Sequence, residues 1–164
     1  MIRVRAGIRG LLTVDPAPEA VLTAADEMMA RDAPDQFVTA AAVLANPATR
    51  TITLCNAGHV PVVVVHPDGR TEALGAGAGL PLGVLGRLQR SATTAHLEPG
   101  GLLVLVTDGV IESRRHDIDS GIERLRRRAA ELRELPVQEL VGALAGLADT
   151  SLRDDVTVLA ARLR

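Results

Sequence analysis

The apolar positions of the chain change period along its length, and each change marks an element. Ile2, Val4, Ile8, Leu11 and Leu12 form an imperfect helical stripe that predicts a first helix over 1–12. Asp15-Pro16 offers a cap followed by a helix-compatible proline. Ala20, Val21, Ala24, Met28 and Met29 then predict a second amphipathic helix, ending at the Asp32-Ala33-Pro34 break. Beyond it the pattern turns to strands. Segments 36–44 and 50–56 are β-rich and joined by the hairpin-style Asn46-Pro47-Ala48-Thr49, and Thr51-Ile52-Thr53-Leu54-Cys55 alternates as a strand with one buried face does. Segment 61–66 is continuously apolar, and Pro67-Asp68-Gly69 turns it into 70–74. The glycine-rich 75–86 predicts a loop and 91–97 a further strand. The five apolar residues of 102–106 predict a strand buried on both faces. Ile118, Ile122, Leu125, Ala129 and Leu132 predict a helix over 118–132; Pro136 opens another to about Leu147, with Leu140, Val141 and Leu144 inward; 156–163 reads as a last strand.

Helices, then an antiparallel sheet, then helices and one strand make an α+β chain with helices packed on sheet. The 164 residues fit a single domain, and 47% hydrophobic against 23% charged residues argues for a folded chain over a disordered one. Eighteen basic and twenty acidic residues leave a net charge of −2, so no bulk field points to nucleic acid or an anionic membrane. All eighteen basic residues are arginine, which excludes a Walker-type lysine, a Schiff-base lysine and a pyridoxal-anchoring lysine. Phe37 is the only aromatic residue, too few for a base-stacking platform. Cys55 alone forms no internal disulfide or multi-cysteine zinc site and suits a reducing cytoplasm; no apolar run approaches the ~20 residues of a membrane span.

Two acidic clusters sit at the ends of apolar strands. Thr107-Asp108-Gly109 follows 102–106 directly, and Arg153-Asp154-Asp155 directly precedes Val156-Thr157-Val158-Leu159. A carboxylate at a buried strand end is costly unless paired, hydrogen-bonded or holding a cation. If the two strands are neighbours, Asp108 and Asp154 converge at one rim, where a divalent cation relieves their repulsion. Oxygen-only ligands favour Mg²⁺ or Mn²⁺ over zinc. The same clusters also suit plain turn chemistry, Asp-Gly as a turn and Asp-Asp as a cap.

The order of motifs adds to this. Phe37-Val38-Thr39-Ala40, Asn56-Ala57-Gly58-His59-Val60-Pro61, Pro67-Asp68-Gly69, Gly79-Leu80-Pro81-Leu82-Gly83, Thr107-Asp108-Gly109-Val110-Ile111-Glu112 and Arg153-Asp154-Asp155-Val156-Thr157 follow one another along the chain. In that order they resemble the metal-dependent (PPM-type) protein serine/threonine phosphatases, in the SpoIIE-like sporulation and stress-response branch. The resemblance implies an α/β/β/α sandwich that holds two Mn²⁺ or Mg²⁺ ions at one rim and hydrolyses phosphoserine or phosphothreonine without a covalent enzyme intermediate. It implies Phe37-Val38-Thr39-Ala40 in a central strand and Asp108 and Asp154 as catalytic metal ligands, with Asp155 as the secondary candidate. Gly109, Asn56, Gly58 and His59 are expected to shape turns at the site. The substrate it implies is a phosphorylated anti-sigma-factor antagonist in a partner-switching pathway.

The family's opening G-D-x-x-D and G-D-V-x-G-H-G motifs, the second of which carries the metal-bridging aspartate, have no counterpart here: the chain contains no Gly-Asp dipeptide. The expectation is a domain lacking roughly its first quarter, with its first strands missing and a sheet edge that a homodimer would cover. The alternative is a catalytically inactive module that binds a partner or regulates a full-length phosphatase. Gly75-Ala76-Gly77-Ala78-Gly79 does not match a dinucleotide loop, and Cys55 with His59 lacks the second pair of a zinc site. Arg124, Arg126, Arg127, Arg128 and Arg133 read either as a solvated helix face or as a dock for an acidic or phosphorylated partner.

Overall fold

The computed structural model describes residues 2–75, 77, 79–85, 88–113, 117–149, 151 and 155–164. Its elements are α1 (Ile2–Val14), α2 (Pro18–Asp32), β1 (Ala40–Asn46), β2 (Thr51–Ala57), β3 (Val62–Val65), β4 (Thr71–Leu74), β5 (Thr93–His96), β6 (Leu102–Val106), α3 (Ile118–Glu131), α4 (Val137–Ala145) and β7 (Val158–Arg162). The chain is α+β, as its pattern predicts, and it divides into two compact units: Met1–His59 with Gly77–His96, and Val60–Ala76 with Leu97–Arg164. Among the described residues no helix is long and apolar enough to cross a membrane.

The first unit is a three-stranded antiparallel sheet, in the order β1-β2-β5, with α1 and α2. Val21, Leu22, Ala25 and Met29 line one face of α2, the spacing that a 3.6-residue period allows. Leu22, Ala25 and Met29 pack with Cys55, Ala57 and Leu82, and Ile8 and Leu11 of α1 join that cluster. The turn between β1 and β2 is closed by Asn46, whose Oδ1 accepts the amides of Ala48 and Thr49 at 3.0 and 3.3 Å.

Two details differ from the sequence pattern. Asp15 does not cap α2: the helix begins at Pro18 behind Ala17, and the Asp15 carboxylate instead accepts the Ala17 amide at 2.9 Å. Segment 36–44 is not all strand. Val38 is taken by Leu82, their amides and carbonyls bonding reciprocally at 3.0 and 2.8 Å, so the ladder to β2 starts only at Ala40. Phe37 is 71% exposed, and among the described residues β1 is bonded to β2 alone, an edge and not the expected central strand.

A four-stranded antiparallel sheet, β4-β3-β6-β7, carries the second unit with α3 and α4. β6 lies between β3 and β7, which is why Leu102–Val106 is apolar at every position. Its side chains share a core with Leu125 and Ala129 of α3 and Leu140 and Leu144 of α4. Asp117 caps α3 by accepting the Ser120 amide at 2.8 Å. The inward line of α3 is Gly121-Leu125-Ala129, whereas Ile118, expected to face inward, is exposed.

Three arginines of the basic cluster, with Arg162, are engaged with backbone carbonyls of this unit. Arg124 donates to the carbonyls of Val110 and Leu147, Arg126 to Oγ1 and the carbonyl of Thr71, Arg133 to the carbonyls of Pro67 and Ala130, and Arg162 to that of Leu135. These guanidinium groups tie backbone carbonyls of neighbouring turns and of the ends of β4, α3 and α4, while Arg127 and Arg128 face outward.

Candidate functional site

Asp108 and Asp155 lie at adjacent strand ends of the second unit because β6 and β7 are neighbours, with Val106 opposite Val158. One residue further out the ladder changes character. The Thr107 amide donates to the Thr157 carbonyl at 3.0 Å, as in regular antiparallel pairing. Thr107's own carbonyl is committed to the Val110 amide at 3.1 Å, which starts a single 3-10 turn over Asp108–Val110. The Thr157 amide bonds instead to Thr107 Oγ1 at 2.8 Å, and the same hydroxyl donates to the Asp155 carbonyl at 2.8 Å.

Asp108 heads that turn. Its side chain is exposed, Oδ1 accepts the Gly109 amide at 3.0 Å, and its carbonyl accepts the amides of Ile111 and Glu112, both at 2.8 Å. Val110 and Ile111 are buried, anchoring the turn in the core and leaving the carboxylate outside. Gly109 is buried in the turn and is not among the residues of positive φ, so a left-handed backbone is not what places glycine there. Gly121 supports the turn from α3. A Cβ built on it would stand 2.2 Å from the Ile111 carbonyl oxygen, so only glycine lets α3 approach so closely. Asp155 is exposed and its backbone is held by Thr107; Asp154 and Arg153 lie outside the described residues.

Asn56, Gly58 and His59 belong to the first unit. Asn56, only 6% exposed, donates from Nδ2 to the His59 carbonyl at 2.9 Å and accepts the His59 amide on Oδ1 at 2.8 Å. That bracket closes a turn in which Gly58 has φ +72°, with its Cα facing Pro81 so closely that a Cβ would lie 2.8 Å from the proline Cγ. Cys55 points into the apolar cluster beneath α2. Burial pushes its thiol above the ordinary value, with nearby Arg90 opposing and Glu19 adding to the rise. A buried, protonated thiol does not serve as a metal ligand.

Asp108 is a hard oxygen donor, exposed and fixed at its base, and Mg²⁺ is commonly held by one or two carboxylates with water and substrate phosphate completing its shell. The chemistry fits one ligand of a divalent ion. A pair of ions needs more carboxylates, and among the described residues no three His, Cys, Asp or Glu side chains gather as such a centre.

The residues that sequence reasoning missed are Thr107, as the hydroxyl bridging two strand ends, and Gly121, as the gap beneath the turn. The one available signal was a threonine on the inner side of both acidic stretches, Thr107 and Thr157.

A family model described as "Stage II sporulation protein E (SpoIIE)" matches residues 1–164. Among solved structures, the RsbU and RsbW domains of Rv1364c from Mycobacterium tuberculosis share 22% identity at a TM-score of 0.87, covering 99% of this chain and 46% of that one. The PP2C phosphatase domain with a fragment of the regulatory domain of SpoIIE from Bacillus subtilis shares 15% at 0.77, covering 98% and 48%. RsbX in complex with magnesium shares 22% at 0.71, covering 99% and 73%. At such identities the likeness establishes the fold, and this chain spans less than half the length of the first two. No curated protein sequence is significantly similar to it.

Proposed function

This chain belongs to the SpoIIE family, and from that premise we propose that it serves the divalent-metal-dependent hydrolysis of phosphoserine or phosphothreonine on a regulatory protein, an anti-sigma-factor antagonist in a partner-switching pathway of the cytoplasm. The observation that supports this reading is the exposed Asp108 carboxylate at the end of a buried strand, in a turn bonded through Thr107 to the stretch that begins the next strand. A buried strand end with an outward carboxylate is a rigid platform for a charged ligand.

In this reading Asp108 and Asp154 hold Mn²⁺ or Mg²⁺, with Asp155 as the secondary candidate. The metal supplies Lewis-acid activation of the phosphate and a nucleophile from water at neutral pH. Asp108 contributes negative charge at a fixed position, and the buried Val110-Ile111 pair keeps the turn from yielding when a cation draws on it. The structures of RsbX with magnesium and of SpoIIE presoaked with manganese support the choice of ion class.

The second reading, a non-catalytic partner-binding module, has its own support: the sequence contains no Gly-Asp dipeptide and so no counterpart of the motif that carries the metal-bridging aspartate. Hydrolysis of p-nitrophenyl phosphate with and without excess Mn²⁺ separates the two. Phosphatase function predicts Mn²⁺-dependent turnover that falls roughly 100-fold or more in Asp108→Asn and in Asp154→Asn, the scale of losing one charge-stabilising group. Turnover unchanged in Asp108→Asn refutes the assignment of the site. Absence of turnover from folded wild-type chain means that these 164 residues are inert by themselves, and the coding sequence upstream of Met1 then decides between a shortened domain and a binding module.

A further inference from the structure

At the end of β6 the backbone does two things. It leaves the sheet to form the turn that carries Asp108, and it still offers a partner to the Thr157 amide just ahead of β7. The Thr107 carbonyl accepts the Val110 amide at 3.1 Å, and the Thr157 amide meets the Thr107 side chain instead. The hydroxyl takes the second task. It stands in for the carbonyl as acceptor of the Thr157 amide and spends its own proton on the Asp155 carbonyl, both at 2.8 Å. One side chain thus spans both acidic stretches: Asp108 is its next residue, and Asp155 is its hydrogen-bond partner.

We propose that Thr107 is a positioning residue whose hydroxyl couples the Asp108 turn to the entry of β7, so that the two acidic stretches hold one fixed relation. Valine, with the same shape and β-preference but no hydroxyl, fills the space and leaves the Thr157 amide without its acceptor; serine keeps the hydroxyl and loses only the methyl. Where that relation matters for a cation, the inference rests on the metal-dependent reading above, and the experiment separates the two.

Amide hydrogen exchange on the full chain reads the coupling directly. In Thr107→Val, exchange quickens at Thr157, whose bond is removed, and also at Ile111 and Glu112, whose amides bond to the Asp108 carbonyl across the turn; Thr107→Ser restores wild-type rates at all three. Faster exchange at Thr157 alone, with Ile111 and Glu112 unchanged, overturns the coupling and leaves a local strand bond. Mn²⁺ binding followed by the loss of the free-ion paramagnetic resonance signal gives the second readout. Thr107→Val should weaken binding about 10–100-fold, the usual effect of removing a group that orients a ligand, with Thr107→Ser close to wild type. If the exchange pattern appears but wild type takes up no Mn²⁺, the coupling stands and the cation reading of the site fails. If wild type binds Mn²⁺ and Thr107→Val binds it equally, the positioning role fails and the cation reading survives.

Discussion

Replacing Arg90 by leucine tests how the Gly79-Leu80-Pro81-Leu82-Gly83 motif is held beneath α2. Arg90 Nη2 lies 2.9 Å from Asp26 Oδ2, with side-chain exposures of only 3% and 1%. The other carboxylate oxygen accepts the Gly83 amide at 2.7 Å, and Arg90 Nη1 donates to the Leu80 carbonyl at 2.9 Å. Removing the guanidinium leaves Asp26 charged in a space closed to water, a change that costs roughly 3–5 kcal/mol. Against a total stability of about 5–15 kcal/mol this is a large fraction. At about 2–4 °C per kcal/mol for a chain of this size, Arg90→Leu lowers Tm by about 6–20 °C.

The exposed pair Arg31–Asp32 is the control. Its 3.0 Å separation is nearly the same, but its side chains are 74% and 47% exposed, and Arg31→Ala should cost no more than about 1 kcal/mol. Adding Asp26→Asn to Arg90→Leu removes the stranded charge and keeps an acceptor for the Gly83 amide, so the double variant recovers most of the loss. Thermal unfolding followed by circular dichroism, with urea titration for the free energies, gives all four values. The reasoning fails if Arg90→Leu is no worse than Arg31→Ala, or if Asp26→Asn brings no recovery.

Two other predictions concern packing and pH. Gly121→Ala forces a methyl group to within 2.2 Å of the Ile111 oxygen and should destabilise the chain by about 1–3 kcal/mol, whereas Gly142→Ala, in α4 with nothing within 4 Å, should gain about 1 kcal/mol from helix propensity; equal Tm changes in the two would refute the crowding argument. Glu72 accepts a hydrogen bond from His66 Nε2 at 2.8 Å and another from Arg70, which hold its carboxyl below its ordinary value of 4.5. A depressed folded-state value makes its contribution present above pH 4.5 and lost as pH falls through the folded value. The Tm gap between wild type and Glu72→Gln should thus be open at neutral pH and close on acidification; a gap that persists in strong acid contradicts the assignment.

Local pattern carried far. The two helices before Pro34, the hairpin at Asn46, the doubly buried strand 102–106 and the helix after Asp117 are all written in period and turn chemistry, because helix and strand periodicities are properties of a few neighbouring residues. Asp108 stood out for the same reason, a carboxylate following an unbroken apolar strand, and the order of short motifs pointed to the family that the whole-length match establishes. Segment 36–44 shows where such reading stops: its β-character is real, yet Val38 bonds to Leu82, forty-four positions away in a loop, and only a folded chain decides that competition. The inward line of α3 was misread at Ile118 because the helix turns on the gap at Gly121, and that gap matters only once the Ile111 carbonyl faces it. The Asp26–Arg90 pair joins residues 64 apart, and no spacing rule links them. Arg126 and Arg133, indistinguishable in sequence from a solvated face, were assigned by the carbonyls that β4 and a loop placed within their reach. Residue type and period thus determined what each segment could be; which hydrogen-bonding group met which was decided by the tertiary structure, since those pairings depend on strand order and helix approach that no local window contains.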